Sequence, residues 1–200
     1  NGIADAINVT DGAGAKSHMS ALATAAILAQ NGIEPILQFT TRDRNRIAIQ
    51  GDLLGGWALD IPNILCLYGD EVKGGDQPDT KEVRDLDTIG ILRTAHEIKT
   101  KKMYPSGRKI KDAPEFFIGG ADTPFKVNSD FDGSKLINKI EAGVEFFQTQ
   151  YVFEKDILKN YMRKLSELNI TDKAYFIIGL GVIKSAKSAR WMNKNLFGIN

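Results

Sequence analysis

The chain has one cysteine in 200 residues, Cys66, which excludes an intramolecular disulfide framework. Cys66 sits inside the apolar run Ile64-Leu65-Cys66-Leu67, so it reads as a small core residue and fits a reducing cytosol. No apolar run approaches the ~18 residues of a membrane span, and with strand-like sequence beginning almost directly at Asn1 no signal peptide is expected. A cytoplasmic location is expected. Neither charge sign is in excess: 26 basic residues face 25 acidic ones. That balance gives no broad electrostatic footprint for nucleic acid or an anionic membrane. The two histidines, His18 and His96, are far apart in sequence, and no Cys/His cluster offers a metal site. Walker A, H-E-x-x-H and G-x-S-x-G patterns are all missing. Asp11-Gly12-Ala13-Gly14-Ala15 comes nearest to a dinucleotide fingerprint. It lacks the third glycine and places an Asp where phosphate would sit. There is no initiator Met, and the chain stops at Asn200 just after a helical pattern, so a piece of a longer protein is expected.

What the chain does have is a rhythm. Six apolar runs each end in polar or glycine residues. The first three are Ala6-Ile7-Asn8-Val9 into Thr10-Asp11-Gly12, Ile36-Leu37 into Gln38-Phe39-Thr40, and Ile64-Leu65-Cys66-Leu67 into Tyr68-Gly69-Asp70. Then follow Phe116-Phe117-Ile118 into Gly119-Gly120-Ala121-Asp122, Phe146-Phe147 into Gln148-Thr149-Gln150, and Phe176-Ile177-Ile178 into Gly179-Leu180-Gly181. Helical patterns fall at about residues 17–31 (Ser17 as N-cap), 42–60, 82–99, 130–143, 154–168 and 184–197. Continuous apolar runs are those of strands buried on both faces, and the alternation describes a parallel α/β protein in a single domain. Ligands of such proteins sit at the carboxyl ends of the strands. Two connections are longer. Residues 71–81, with Gly74-Gly75-Asp76-Gln77-Pro78, lie on that ligand side and are expected to be functional. Residues 100–114 are basic, follow a helix, and are expected to be a solvated connection on the opposite rim. Six βα units suit either a doubly wound sheet or part of a (β/α)8 barrel, and periodicity alone does not choose.

The polar strand ends supply the candidate chemistry. Asp70 follows Gly69, where a backbone without Cβ lets a flat ligand approach. Its carboxylate either accepts hydrogen bonds from a heterocycle or caps its own turn. Gln38 and Gln150 offer a donor and an acceptor each, suited to the amide-like edge of a pterin or flavin or to bridging loop backbone. Asp132 and Lys139 are seven residues apart in one helical pattern, as contacts to ribose and phosphate or as solvated helix charges. Arg42, Arg44 and Arg46 crowd a strand-to-helix junction, where they bind an anion or pair with Asp43 and Asp52. His18 is expected to cap or pack.

The ordered set of these segments resembles the methylenetetrahydrofolate reductase family, in the branch of acetogenic and related bacteria and archaea. The resemblance rests on Asn8-Val9-Thr10-Asp11-Gly12, the run from Glu34 through Gln38-Phe39-Thr40-Thr41-Arg42-Asp43-Arg44-Asn45-Arg46, and Leu67-Tyr68-Gly69-Asp70. It continues through Gly75-Asp76-Gln77-Pro78, Gly119-Gly120-Ala121-Asp122, Lys139-Ile140-Glu141-Ala142-Gly143 and Phe147-Gln148-Thr149-Gln150. It implies a (β/α)8 TIM barrel, incomplete here at about six βα units and lacking the first and last strands. The missing first strand carries the family's general-acid Glu, so the chain alone is expected to be inactive. The resemblance implies a flavin site lined by Thr10, Gln38, Tyr68, Gly69, Asp70, Gly119, Asp132 and Lys139. Asp70 would tune the flavin and touch the folate, and Gln150 would bind the pterin.

FAD is the implied cofactor, with NAD(P)H or reduced ferredoxin as electron donor. Gln38 replaces a His and Tyr68 an Arg common in the family, which keeps FMN or flavin-free nicotinamide chemistry as alternatives. Arg42 or Arg44 is the candidate to supply the charge lost at Tyr68. The implied reaction is reduction of 5,10-methylenetetrahydrofolate to 5-methyltetrahydrofolate. The implied partners are the folate substrate, a redox partner subunit and further copies in a homo- or hetero-oligomer. The alternatives are a folate-binding methyltransferase barrel serving a corrinoid protein, and a non-catalytic folate-binding subunit.

Overall fold

The computed structural model describes residues 3–196. Six strands alternate with six helices: β1 (Ala6–Val9), α1 (Ala21–Gln30), β2 (Glu34–Thr40), α2 (Arg46–Ala58), β3 (Asn63–Leu67), α3 (Thr88–Lys101), β4 (Phe117–Asp122), α4 (Ser134–Glu141), β5 (Phe146–Tyr151), α5 (Lys155–Glu167), β6 (Tyr175–Gly179) and α6 (Ala186–Asn195). Strand order follows chain order, β1-β2-β3-β4-β5-β6. β1/β2, β2/β3 and β5/β6 pair in parallel. A doubly wound sheet reverses its order at a switch point, whereas sequential order is that of a (β/α)8 barrel. The fold is therefore of the incomplete-barrel type, with six βα units among the described residues.

The chain divides into two compact units, Asn1–Gly119 and Gly120–Asn200, with the boundary inside β4. In the first unit, β3 is buried along Asn63, Ile64, Leu65 and Cys66, with α3 contributing Ile91, Leu92, Ala95 and Ile98 to the core. Burial pushes the Cys66 thiol up to about 12, so it stays protonated and inert. Trp57 of α2 meets Phe116 edge-on at 5.8 Å. In the second unit, Phe146 and Phe147 of β5 pack with Tyr161 and Leu165 in the core, and Phe147 stacks on Phe176 at 5.2 Å. The expectation of strands buried on both faces holds for β3. It does not hold for β6, where Tyr175 is 73% and Ile177 is 45% exposed. β6 ends the strand order and has a neighbour on one side only.

Helix starts fall later than periodicity places them, because side-chain caps set them. Ser20, not Ser17, caps α1; Asn45 caps α2 through the Ile47 and Ala48 N–H groups; Asp87 caps α3 through Gly90 N–H. α4 begins at Ser134, so Asp132 lies before the helix rather than within it alongside Lys139. The final pattern at 184–197 is observed as Ala186–Asn195, and residue 197 lies outside the described residues. The strand ends also shift. Gln38 is inside β2, Gln150 is the penultimate residue of β5, and Gly119 lies in the middle of β4.

Candidate functional site

In the first unit, the segments after β1, β2 and β3 converge on a network of paired charges. Asp11, almost fully buried, accepts from Thr40 N–H at 2.9 Å, Thr40 Oγ1 at 3.0 Å and Arg44 Nη1 at 2.6 Å. Arg44 also donates Nε to Asp52 at 2.8 Å. Burial works against the Arg44 charge, but Asp11 and Asp52 outweigh it and raise its pKa. Arg42, only 4% exposed, donates two hydrogen bonds to Asp43 and holds that carboxyl below its usual range. Its remaining nitrogen, Nη1, donates to the backbone oxygens of Gly12 at 3.1 Å and Asp70 at 3.4 Å. Arg46 pairs with Asp85 at 2.8 Å. All three arginines of the junction are thus neutralised by nearby carboxylates, which is the ion-pair alternative of the two considered above. Neither Arg42 nor Arg44 is left to replace a guanidinium at position 68.

Tyr68, Gly69 and Asp70 leave β3 in a turn. Gly69 has φ +88°, and a Cβ there would lie 3.0 Å from Thr40 Cβ. The turn therefore requires glycine both for its conformation and for its space. The Asp70 carboxylate accepts from Gly14 N–H at 2.7 Å. Thr10 is exposed just past β1, and Gln38 donates Nε2 to Asn8 Oδ1 at 2.8 Å. The expected functional connection, residues 71–81, packs back on the β1 exit. Ser17 N–H donates to Asp76, and Gln77 Nε2 donates to Ser17 Oγ at 2.7 Å. A Cβ on Gly75 would lie 1.9 Å from the Ala15 carbonyl oxygen, so only glycine permits this approach. Between these segments lies a cavity of about 340 Å³, whose lining includes Asp11, Lys16, His18, Arg42, Asp76 and Gln77. His18 neither caps nor packs inside a helix. It is exposed before α1, with Nε2 at 3.2 Å from Ala13 O. The basic connection 100–114 is a tight turn, bridged at Met103 and Lys109, with Arg108 stacked 4.2 Å over Tyr104.

The second unit holds a cavity of different character, about 550 Å³, lined by Asp122, Phe125, Phe131, Asp132, Lys139 and Tyr161 among others. β4 delivers Asp122 and α4 delivers Lys139. The three aromatic rings lie 5.3 to 5.7 Å apart. Tyr161, 1% exposed, donates its hydroxyl to Asp122, 3.0 Å from each carboxylate oxygen. Burial raises the Asp122 pKa more than Tyr161 and Lys139 lower it. Lys139 Nζ donates to the Ala121 carbonyl at 2.6 Å and makes no ion pair among the described residues. Burial lowers its pKa, although Asp122 pulls the other way. Asp132 accepts from Ser134 N–H at 2.9 Å, which fixes its carboxylate at the α4 N-terminus and lowers its pKa. Asp132 and Lys139 thus meet in one cavity although only one of them is helical. Gln150 is not among the lining residues; its Oε1 accepts from the following Tyr151 N–H at 2.9 Å. Gly119 is buried in β4.

Sequence reasoning missed Asp122 and Tyr161 as a pair, and Arg84 altogether. A tyrosine in an apolar helical stripe needs a partner for its hydroxyl, which is the signal that Tyr161 offered. No cluster of His, Cys, Asp and Glu among the described residues could hold a metal ion, and no described helix is long and apolar enough to cross a membrane.

Sequential β/α order with polar side chains at the strand exits defines a barrel-type protein, a fold class whose ligands bind at the carboxyl ends of the strands. Among such proteins, the family model described as methylenetetrahydrofolate reductase matches residues 2–199, and the chain belongs to that family. Comparison with curated proteins finds no match.

Proposed function

We propose that the protein reduces 5,10-methylenetetrahydrofolate to 5-methyltetrahydrofolate with a bound flavin, FAD in the first instance. The carrying observation is the family match over residues 2–199, joined to the polar strand exits. A flavin needs an aromatic or apolar wall for its rings, hydrogen-bond partners for its ribityl chain and a cation for its phosphates. The second unit's cavity has Phe125 and Phe131 as walls, Asp132 as a fixed acceptor and Lys139 as a cation held by a backbone carbonyl and without a carboxylate bonded to it among the described residues, so the residues fit the group.

When bound, the flavin supplies hydride transfer to the folate's methylene carbon. The chain supplies the rest. Lys139 would hold phosphate oxygens and Asp132 a ribityl hydroxyl. Tyr161 keeps the Asp122 carboxyl oriented at the cavity wall. In the first unit, Asp70 would bias the charge of the flavin's pyrimidine edge and accept from the folate, with its carboxylate pre-aimed by Gly14 N–H. By the family resemblance, Thr10, Gln38, Tyr68, Gly69 and Gly119 would also contact the flavin, and Gln150 would pair with the pterin's amide edge. The electron donor is NAD(P)H or a reduced iron–sulfur protein.

Purified full-length protein, reconstituted with FAD and assayed for 5-methyltetrahydrofolate formation under anaerobic conditions, tests the proposal. Product formed only with flavin present supports it. A protein that binds no flavin, or one that passes the folate's methyl group to a corrinoid without flavin, overturns it.

A further inference from the structure

We infer that Arg84 is a positioning residue that sets the aim of Asp70; the inference rests on the role proposed for Asp70 above. Arg84 lies beyond the β3 exit, yet its side chain returns to hold it. Nη1 donates to the Tyr68 carbonyl at 2.9 Å and to the Gly69 carbonyl at 3.5 Å. Nη2 reaches the Gly69 and Asp70 carbonyls, each at 3.4 Å. Three consecutive backbone oxygens of one turn are thus gathered on one guanidinium. The same guanidinium lies 3.9 Å over the Tyr68 ring.

Glu82 fixes this clamp from behind. It accepts from Arg84 Nε, and from Nη2 at 3.1 Å, and its Oε1 also accepts from Val72 N–H at 3.0 Å. Every nitrogen of Arg84 is occupied, and its side chain is 12% exposed. Arg84 therefore does not replace the phosphate-binding Arg that Tyr68 displaces. A ligand phosphate would have to break the clamp to reach it.

The backbone of Arg84 supports the same reading. Its φ is +39°, in the left-handed region that a non-glycine residue enters at a cost. That conformation persists because the side chain is anchored at four acceptor residues. Gly69, at φ +88°, is the residue of the turn whose backbone lacks the restraint of a Cβ. Without the clamp, rotation about Gly69 would swing Asp70 away from Gly14 N–H. Lysine carries the charge but lacks the planar fork that spans three carbonyls.

Arg84→Met, Arg84→Lys and Glu82→Gln in the purified protein test this in two ways. The first is hydrogen exchange of residues 68–74, with β2 and α3 as internal references. Exchange at least about tenfold faster in Arg84→Met and Arg84→Lys, with the references unchanged, is expected for a local opening. The second is the reduction potential of the bound flavin, measured for Asp70→Asn in the wild-type and Arg84→Met backgrounds. The Asp70→Asn shift should be largely lost in the Arg84→Met background, since the two residues act as a unit. Unchanged exchange overturns the inference. So does faster exchange with the full Asp70→Asn shift retained, which would make Arg84 a purely structural tie. If Arg84→Met does not fold, Glu82→Gln and Arg84→Lys carry both arms. Failure of the wild-type protein to bind flavin would sink the proposed function, while the exchange measurement would still decide whether the clamp exists.

Discussion

The strand exits of the first unit and the cavity of the second use charge in opposite ways. In the first unit, Arg42, Arg44, Arg46 and Arg84 all face carboxylates of the chain itself. Two of them also donate to backbone oxygens, Arg42 to Gly12 and Arg84 to Tyr68. In the second unit, Lys139 holds a single carbonyl and faces an aromatic-lined space. The lesson is that density of charge does not by itself point to a ligand site. Arginines that can reach carboxylates hold the turns, and the desolvated Lys139 is left with a backbone carbonyl beside a cavity, which is why it is proposed as a ligand contact.

Each arm of this contrast can be broken separately. Arg44→Met should have the largest effect on stability. It leaves Asp11 buried and stripped of its cation, which costs about 3 kcal/mol on breaking a buried pair. Chemical denaturation should show it as a lower midpoint with an unchanged slope. Lys139→Met should do the reverse. Removing its charge-assisted contact should weaken FAD binding roughly 10- to 100-fold in a fluorescence titration, since such contacts are worth about 1.5–3 kcal/mol. Its melting temperature should barely fall, because the substitution also relieves a desolvation penalty.

Tyr161→Phe should cost about 1–2 kcal/mol by leaving the half-buried Asp122 carboxyl without its hydroxyl donor. It should also steepen the pH dependence of stability. The folded pKa of Asp122 is raised, so its contribution is present at low pH and is lost as pH rises from the ordinary carboxylate value through the folded one. The smallest expected effect is at Glu82. Arg84, helped by Val72 N–H, lowers its pKa from 4.5 to about 2. A depressed carboxylate contributes above 4.5 and is lost as pH falls through about 2. Protection of residues 68–74, corrected for intrinsic exchange and referenced to β2 and α3, should hold down to about pH 3 and fall below it, and Glu82→Gln should show no such step.

The fold was legible in the sequence because strand runs such as Ile64-Leu65-Cys66-Leu67 are buried by the same helical stripes that periodicity reveals, as with Ile91, Leu92, Ala95 and Ile98 of α3. Boundaries were less legible. Caps such as Ser20, Asn45 and Asp87 act through one or two hydrogen bonds that composition does not weigh. The turn at Gly69-Asp70 was readable from glycine followed by a carboxylate. Which arginine serves it was not. Arg42 and Arg44 stand out in a dense polar motif, whereas Arg84 is a single arginine in a connection whose left-handed backbone and contact with the turn appear only in three dimensions. Lys139 and Asp132 look like ordinary helix charges at their spacing. Only the cavity, walled by Phe125, Phe131 and Tyr161, sets them apart.

The most direct measurement of the central claim is a single-turnover experiment. FAD-loaded full-length protein is reduced anaerobically, and 5,10-methylenetetrahydrofolate is then added. The account predicts that oxidised-flavin absorbance returns, one 5-methyltetrahydrofolate forms per flavin, and Asp70→Asn slows the step. Flavin that stays reduced beside unconsumed folate, in protein that retains its fold, would contradict it.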